Sequence, residues 1–288
     1  MKKFLLTVGL FFLVFHSMGF AQDTFVVGVP PITDPAKLEK SFQPFTDYIS
    51  KSLGLPAKLI VSKSYEAFAD AFVAGEISLG FFGAVLYVQT KDKHPDKVHY
   101  LATCLQNKGG RTRGHYYGYF LVNANSPYKS LKYLKGKKWG FTKKSSSSGY
   151  RYPMAYFSRK KIDPYTYFGE VKFLEKHPRI TDALAAWKPG ADNIIDGGAT
   201  WDVNLWEAEE KHGKVFRKIA RVGPIPLIAI AVSETVAQNK AIRDKIVRAL
   251  TQDVPEEVTE TEDFLFSGWK VGFDSDFDIT RRIVGIEK

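Results

Sequence analysis

The 288-residue chain contains one cysteine, Cys104, so no intramolecular disulfide can form. That excludes the small secreted scaffolds that rely on several bridges. Cys104 lies in the strand-like segment Leu101-Ala102-Thr103-Cys104-Leu105 and reads as a small buried apolar residue rather than a nucleophile. After the first twenty residues, no apolar run approaches the roughly 18 residues of a membrane helix. Ile225 to Val232 is apolar but short, and reads as one buried strand. Also missing are a G-x-x-x-x-G-K-[ST] phosphate loop, a G-x-S-x-G nucleophile elbow and, among six histidines, an H-E-x-x-H pair. These absences leave no residues for a P-loop nucleotide site, a hydrolase elbow or a zinc protease centre, and neither cofactor nor metal is expected. No internal repeat or low-complexity tract suggests a solenoid.

The first residues carry an export pattern. Lys2 and Lys3 precede an apolar run from Phe4 to Phe15, and Gly19-Phe20-Ala21 places small residues where a signal peptidase reads. Cleavage is expected after Ala21, so that residues 1–21 are a signal peptide and the mature chain begins at Gln22 in the periplasm. No cysteine stands at that position, so no lipid anchor is expected there. The formal net charge is +10, but the lysines are scattered, and the cluster from Lys129 to Lys144 is interrupted by apolar residues like a solvated face. Export also argues against nucleic acid as the partner.

Two periodicities alternate along the mature chain. Phe25 to Val29 reads as a strand. Leu38, Phe42, Phe45, Tyr48, Ile49 and Leu53 recur at helical spacing up to Gly54. Lys58–Val61 is a strand, Ser64–Gly75 a helix with Ser64 as N-cap, Ile77–Phe82 a strand, and Ala84–Thr90 a helix. The alternation restarts with strands at Tyr116–Val122 and Lys137–Phe141, and Lys240–Leu250 reads as an amphipathic helix. This β-α-β-α-β order predicts an α/β fold with parallel sheets, and two such units predict two lobes with a cleft at the carboxyl ends of their strands.

Ser145-Ser146-Ser147-Ser148-Gly149-Tyr150 follows the strand ending at Phe141 and precedes a helix near Tyr152-Pro153. Hydroxyl donors, unpaired N–H groups and a helix dipole at one place suit an oxyanion. The same pattern also serves a plain N-cap or a Ser-rich loop, and spacing does not separate the readings.

Several segments together resemble the family of periplasmic phosphate/phosphite/phosphonate-binding proteins of ABC transporters. They are Ser130-Leu131-Lys132-Tyr133-Leu134-Lys135-Gly136-Lys137, Ser146-Ser147-Ser148-Gly149-Tyr150-Arg151-Tyr152-Pro153, Val27-Gly28-Val29-Pro30, and Ser64-Tyr65-Glu66-Ala67 with Ala74 to Gly83. The resemblance runs from about Phe25 to Asp278 and implies the type II periplasmic-binding-protein fold: residues 22–112 plus 223–288 in one lobe, 113–222 in the other, and crossings near Gly109–His115 and Ala220–Pro226. It implies a non-enzymatic monomer that closes on a small oxyanion and serves a membrane permease or a membrane sensor. It also implies ligand contacts from Tyr65, Phe82, Ser146, Ser147, Ser148, Tyr150, His177 and Asp202. Phe82 departs from the hydroxyl-bearing tyrosine common at its place. Leu227 or Ile228 falls where aminophosphonate binders carry a second carboxylate. A buried ammonium needs compensating charge, so phosphite, phosphate or a simple alkylphosphonate is expected ahead of aminoethylphosphonate. Ser147, His177 and Asp202 supply the residue types of a hydrolytic triad, the competing expectation.

Overall fold

The computed structural model describes residues 24–108, 111–252, 254–259 and 266–285. The expected signal peptide and its cleavage site lie outside them, as does Gly109 of the first expected crossing.

The chain begins with β1 (Phe25–Val29), α1 (Pro35–Leu53), β2 (Ala57–Val61), α2 (Tyr65–Val73), β3 (Leu79–Phe82), α3 (Ala84–Lys93), β4 (Val98–Lys108) and β5 (Arg111–Arg113). It continues with β6 (His115–Asn123), β7 (Lys138–Phe141), α4 (Tyr152–Arg159), α5 (Pro164–Tyr167), β8 (Glu170–Phe173), α6 (His177–Ala185), β9 (Gly197–Trp201), α7 (Asp202–His212) and β10 (Phe216–Pro226). It closes with β11 (Ala229–Ser233), α8 (Glu234–Gln238), α9 (Lys240–Thr251), α10 (Glu256–Thr259), β12 (Gly268–Val271) and α11 (Asp278–Gly285).

Among the described residues these strands form two sheets. One runs β12-β4-β11-β3-β1-β2, with β5 attached to β4; the other runs β10-β6-β9-β7-β8. Each has a parallel centre, β2-β1-β3 in the first and β8-β7-β9 in the second, extended by antiparallel strands. The chain passes from the first sheet to the second between β5 and β6 and returns between β10 and β11. Ile225–Val232 is therefore not one strand. Ile225 and Pro226 pair with Tyr116 and His115 in the second sheet, whereas Ala229–Val232 pair with β3 in the first. Continuous hydropathy hid the break because Leu227, at the crossing, is buried like the strands beside it.

α1 shows how local sequence builds these layers. Asp34 accepts the Ala36 N–H at the start, and Gly54 ends the helix in the left-handed region at φ 69° while its N–H donates to Ser50 O. Leu38, Phe42, Phe45, Ile49 and Leu53 form the buried stripe. The Phe45 ring packs on Phe81 at 5.0 Å and on Trp269 at 5.2 Å, which ties helix and sheet together. Each such aromatic contributes roughly 1.5–3 kcal/mol of burial. Cys104 is buried on β4, its thiol pushed well up by burial.

Candidate functional site

A cavity of about 520 Å³, counting its opening, lies between the two sheets. The first sheet's side supplies Ile32, Tyr65, Gly83 and Ala84; the second's supplies Tyr116, Ser145 to Ser148, His177 and Trp201; the return crossing supplies Pro226, Leu227 and Ile228. No Asp, Glu, Lys or Arg is among these lining residues.

The serines are held by a single helical turn. Ser147–Arg151 is a π-helical turn leading into α4, and Ser146 caps it by accepting the Gly149 N–H at 3.1 Å. Ser147 and Ser148 open the turn, so their N–H groups have no partner within it. Gly149 is packed so closely on Thr142 that only a hydrogen fits at its α-carbon. Ser147 Oγ accepts the Val85 N–H of α3 at 3.1 Å, linking the cradle to the other sheet's side. Ser145 Oγ is buried and has no partner among the described residues. A buried donor left unpaired at a cavity wall costs about 1–3 kcal/mol until a ligand or water takes it up.

Around the serines stand neutral groups. Ser64 caps α2 by accepting the Ala67 N–H, and this sets Tyr65 at the helix start. Burial holds the Tyr65 phenol above its ordinary value, helped by Glu66. Burial likewise raises the Tyr116 phenol, while a hydrogen bond with Ser148 pulls it the other way. Both phenols are protonated donors at neutral pH. His177, at the start of α6, is buried, and burial lowers its pKa to about 4, so its imidazole is neutral. Its Nδ1 meets Thr200 Oγ1 at 2.9 Å and its Nε2 lies 3.4 Å from Ser146 Oγ. Lys143 stands beside the Tyr65 wall, its Nζ 5.7 Å from the Tyr65 ring centroid and 3.3 Å from Glu175.

Of the sequence candidates, Tyr65, Ser146, Ser147, Ser148 and His177 line this cavity, and Phe82, Tyr150 and Asp202 do not. Phe82 is fully buried in an aromatic cluster, its ring 4.7 Å from Phe68 and 4.8 Å from Phe72. The next residues, Gly83 and Ala84, reach the cavity instead, through the N-terminus of α3. The Tyr150 ring packs on Phe141 at 5.1 Å and its hydroxyl meets the Tyr165 hydroxyl at 3.1 Å, because the helical turn directs it away from the serines. Asp202 opens α7, and its Oδ1 accepts the Val203 N–H at 3.0 Å. Sequence reasoning gave no ligand contact to Ser145, Tyr116 or Ala84. Ser145 begins the recognised run, and Tyr116 stands in the alternation of β6, but periodicity did not tell which face met the cleft.

Comparison with known proteins agrees with this geometry. The profile of the family described as ABC transporter, phosphonate, periplasmic substrate-binding protein matches residues 27–277. A phosphate-import protein of Mycolicibacterium smegmatis is 26% identical over 133 residues, covering 46% of this chain and 41% of that protein. A probable ABC transporter phosphite-binding protein of Prochlorococcus marinus is 26% identical over 216 residues, covering 71% and 69%. In three dimensions, a binding-protein component of a Pseudomonas aeruginosa ABC phosphonate transporter superposes with a TM-score of 0.78 at 16% identity, over 91% of this chain and 86% of that one. The type II periplasmic-binding fold is thus common to them, and the chain belongs to the family of periplasmic substrate-binding proteins of phosphonate ABC transporters.

Proposed function

We propose that this chain is the ligand-binding component of an ABC importer and takes a small phosphorus oxyanion, with phosphite, phosphate or a simple alkylphosphonate ahead of aminoethylphosphonate. One observation carries the reading: the cavity combines a cradle of hydroxyl donors with an apolar wall and has no ionised side chain among its lining residues. Neutral donors fixed in a water-poor site stabilise an anion without needing to be reorganised. The wall of Ile32, Leu227 and Ile228 offers no counter-charge to an ammonium, whose burial would cost several kcal/mol. The names of the curated relatives, phosphate import and phosphite binding, lie within this ligand class.

The mechanism is closure of two lobes, residues 22–112 with 223–288 and residues 113–222, about the two chain crossings. Ligand bridges the Tyr65 side and the serine cradle, and the closed form is recognised by the permease. The Ser147–Val85 hydrogen bond and the Lys37–Glu207 ion pair at 2.8 Å suit such a closed form. The mature chain acts in the periplasm as a monomer, without metal or cofactor. Hydrolysis finds less support, since His177 Nδ1 engages Thr200 rather than a carboxylate and its Nε2 approaches Ser146, not Ser147.

The test is a thermal-shift screen of the chain from Gln22 against phosphite, phosphate, hypophosphite, methylphosphonate, aminoethylphosphonate, sulfate and molybdate. A ligand well above its Kd stabilises by roughly 3 kcal/mol or more. The expected order places the first four ahead of aminoethylphosphonate. Stabilisation by sulfate or molybdate alone, or by nothing, overturns the phosphorus assignment.

A further inference from the structure

His177 has two ring nitrogens, and its value as a ligand contact depends on which one carries the proton. We infer that Thr200 and Asn204 act as positioning residues that fix the His177 tautomer, so that Nε2–H and the Ser146 hydroxyl both point as donors into the cavity. This rests on the reading of the cavity as an oxyanion site.

The hydrogen bonds behind His177 have one consistent direction. Asn204 Nδ2 lies 3.2 Å from His177 O, 3.2 Å from Thr181 Oγ1 and 3.0 Å from Thr200 Oγ1. A carbonyl cannot donate, so His177 O requires the amide nitrogen, not its oxygen, on that side of Asn204. Thr181 agrees, because its hydroxyl proton is spent on Pro178 O at 3.0 Å and its oxygen is left to accept. The Asn204 amide has two protons for these three oxygens, Thr200 Oγ1 being nearest at 3.0 Å, and its nitrogen cannot accept a proton from Thr200.

Thr200 is fully buried, and its hydroxyl has two side-chain neighbours, Asn204 Nδ2 and His177 Nδ1. The first is a donor, so the Thr200 proton goes to the second. Were Nδ1 protonated instead, the Thr200 hydroxyl proton would be buried with no acceptor among these neighbours. Nδ1 is thus the acceptor, and the single ring proton of the neutral imidazole sits on Nε2. An Nε2–H cannot accept from Ser146. Ser146 Oγ already accepts the Gly149 N–H, and its own proton is released toward the cavity. The Nε2 to Ser146 distance of 3.4 Å is long for a hydrogen bond, so an anion oxygen competes well for that proton.

The experiment uses the chain from Gln22 with 15N-labelled histidine, and the ring signals of His177 are assigned by their loss in His177→Gln. Long-range proton–nitrogen NMR of the wild type should show His177 protonated on Nε2. An Nδ1–H tautomer would overturn the inference whether or not any oxyanion binds. Phosphite and methylphosphonate titrations then read the consequence. Thr200→Val should weaken binding roughly tenfold or more, the worth of one hydrogen bond to a charged group, and mix the tautomers. Thr200→Ser should restore both. Thr200→Val with wild-type tautomer and affinity also overturns the inference. A wild type that shows the Nε2–H tautomer but binds neither anion sinks the ligand reading and leaves the relay standing.

Discussion

A β-carbon on Gly149 would lie 1.9 Å from Thr142 Oγ1 and 2.8 Å from Thr142 Cβ, neither of which belongs to a flexible chain end. Gly149→Ala must therefore displace the turn that holds Ser146 to Ser148. We expect a loss of about 1–3 kcal/mol in urea unfolding, with ligand affinity falling alongside; an unchanged midpoint would show that the cradle can shift at no cost. His177 yields a pH prediction. Its folded pKa of about 4 lies below the ordinary value of 6.5 because of burial. Between those values the unfolded chain binds the extra proton, so this group's contribution is complete above pH 6.5 and is lost as pH falls toward 4. The loss is about 3 kcal/mol at 1.36 kcal/mol per pH unit. Urea midpoints at pH 7 and 4.5 should separate strongly in wild type and less in His177→Gln, and parallel slopes would contradict a buried neutral imidazole.

Among the elements, α3 couples the cavity to the C-terminal part of the chain. Its first residues line the cavity, and one turn on, the Tyr87 hydroxyl donates to Asp274 Oδ1 at 2.6 Å. Arg281 of α11 binds Asp274 at 2.9 Å, Asp92 of α3 at 2.9 Å and Asp278 at 2.8 Å. Isolated exposed pairs contribute little, but a partly buried arginine shared by three carboxylates holds them in one geometry. Arg281→Ala should cost about 1–2 kcal/mol and raise hydrogen exchange in α11 before it does so in α1. Uniform exchange through the chain would mean that the network does not anchor this helix. α11 also reaches the second sheet's layer, where Thr280 and Tyr152 of α4 share a buried hydrogen bond of 2.9 Å. The periodicity reading found α1, α2 and α9 because each buries a stripe at helical spacing. It ran β10 and β11 together because a change of sheet leaves no mark in hydropathy.

On the scale of the whole molecule, polar contacts between the two sides among the described residues include one hydrogen bond from α3 to Ser147, the half-exposed Lys37–Glu207 pair and the Tyr152–Thr280 bond behind the cavity, and an apolar cluster with residues of both sides packs beside them. An ion pair of that exposure contributes at most about 1 kcal/mol and is screened by salt. On the proposed closure, a ligand bridging Tyr65 and the serine cradle adds to these contacts. Small-angle scattering should show compaction when a phosphorus oxyanion saturates the chain from Gln22, and the same profile with and without a bound ligand would count against hinge closure.

The residues alone determined most of the order of strands and helices and the α/β class, and they marked the serine run as a candidate place for an anion. These depend on neighbours within a turn or a strand, where spacing, caps and glycine conformations act directly. The resemblance carried by the Ser-Gly-Tyr and Ala-Gly-Glu segments pointed to the family on the same local basis. Only the tertiary structure decided which side chains share the cavity. It buried Phe82 among rings, turned Tyr150 to Tyr165, set Asp202 at a helix start, and brought Tyr116, Ser145 and the Leu227–Ile228 crossing to the wall. It also set Thr200 and Asn204 behind His177, at separations of 23 and 27 residues. The facing of a side chain follows from strand register and from where the chain changes sheets, and both are set by packing between segments far apart in sequence.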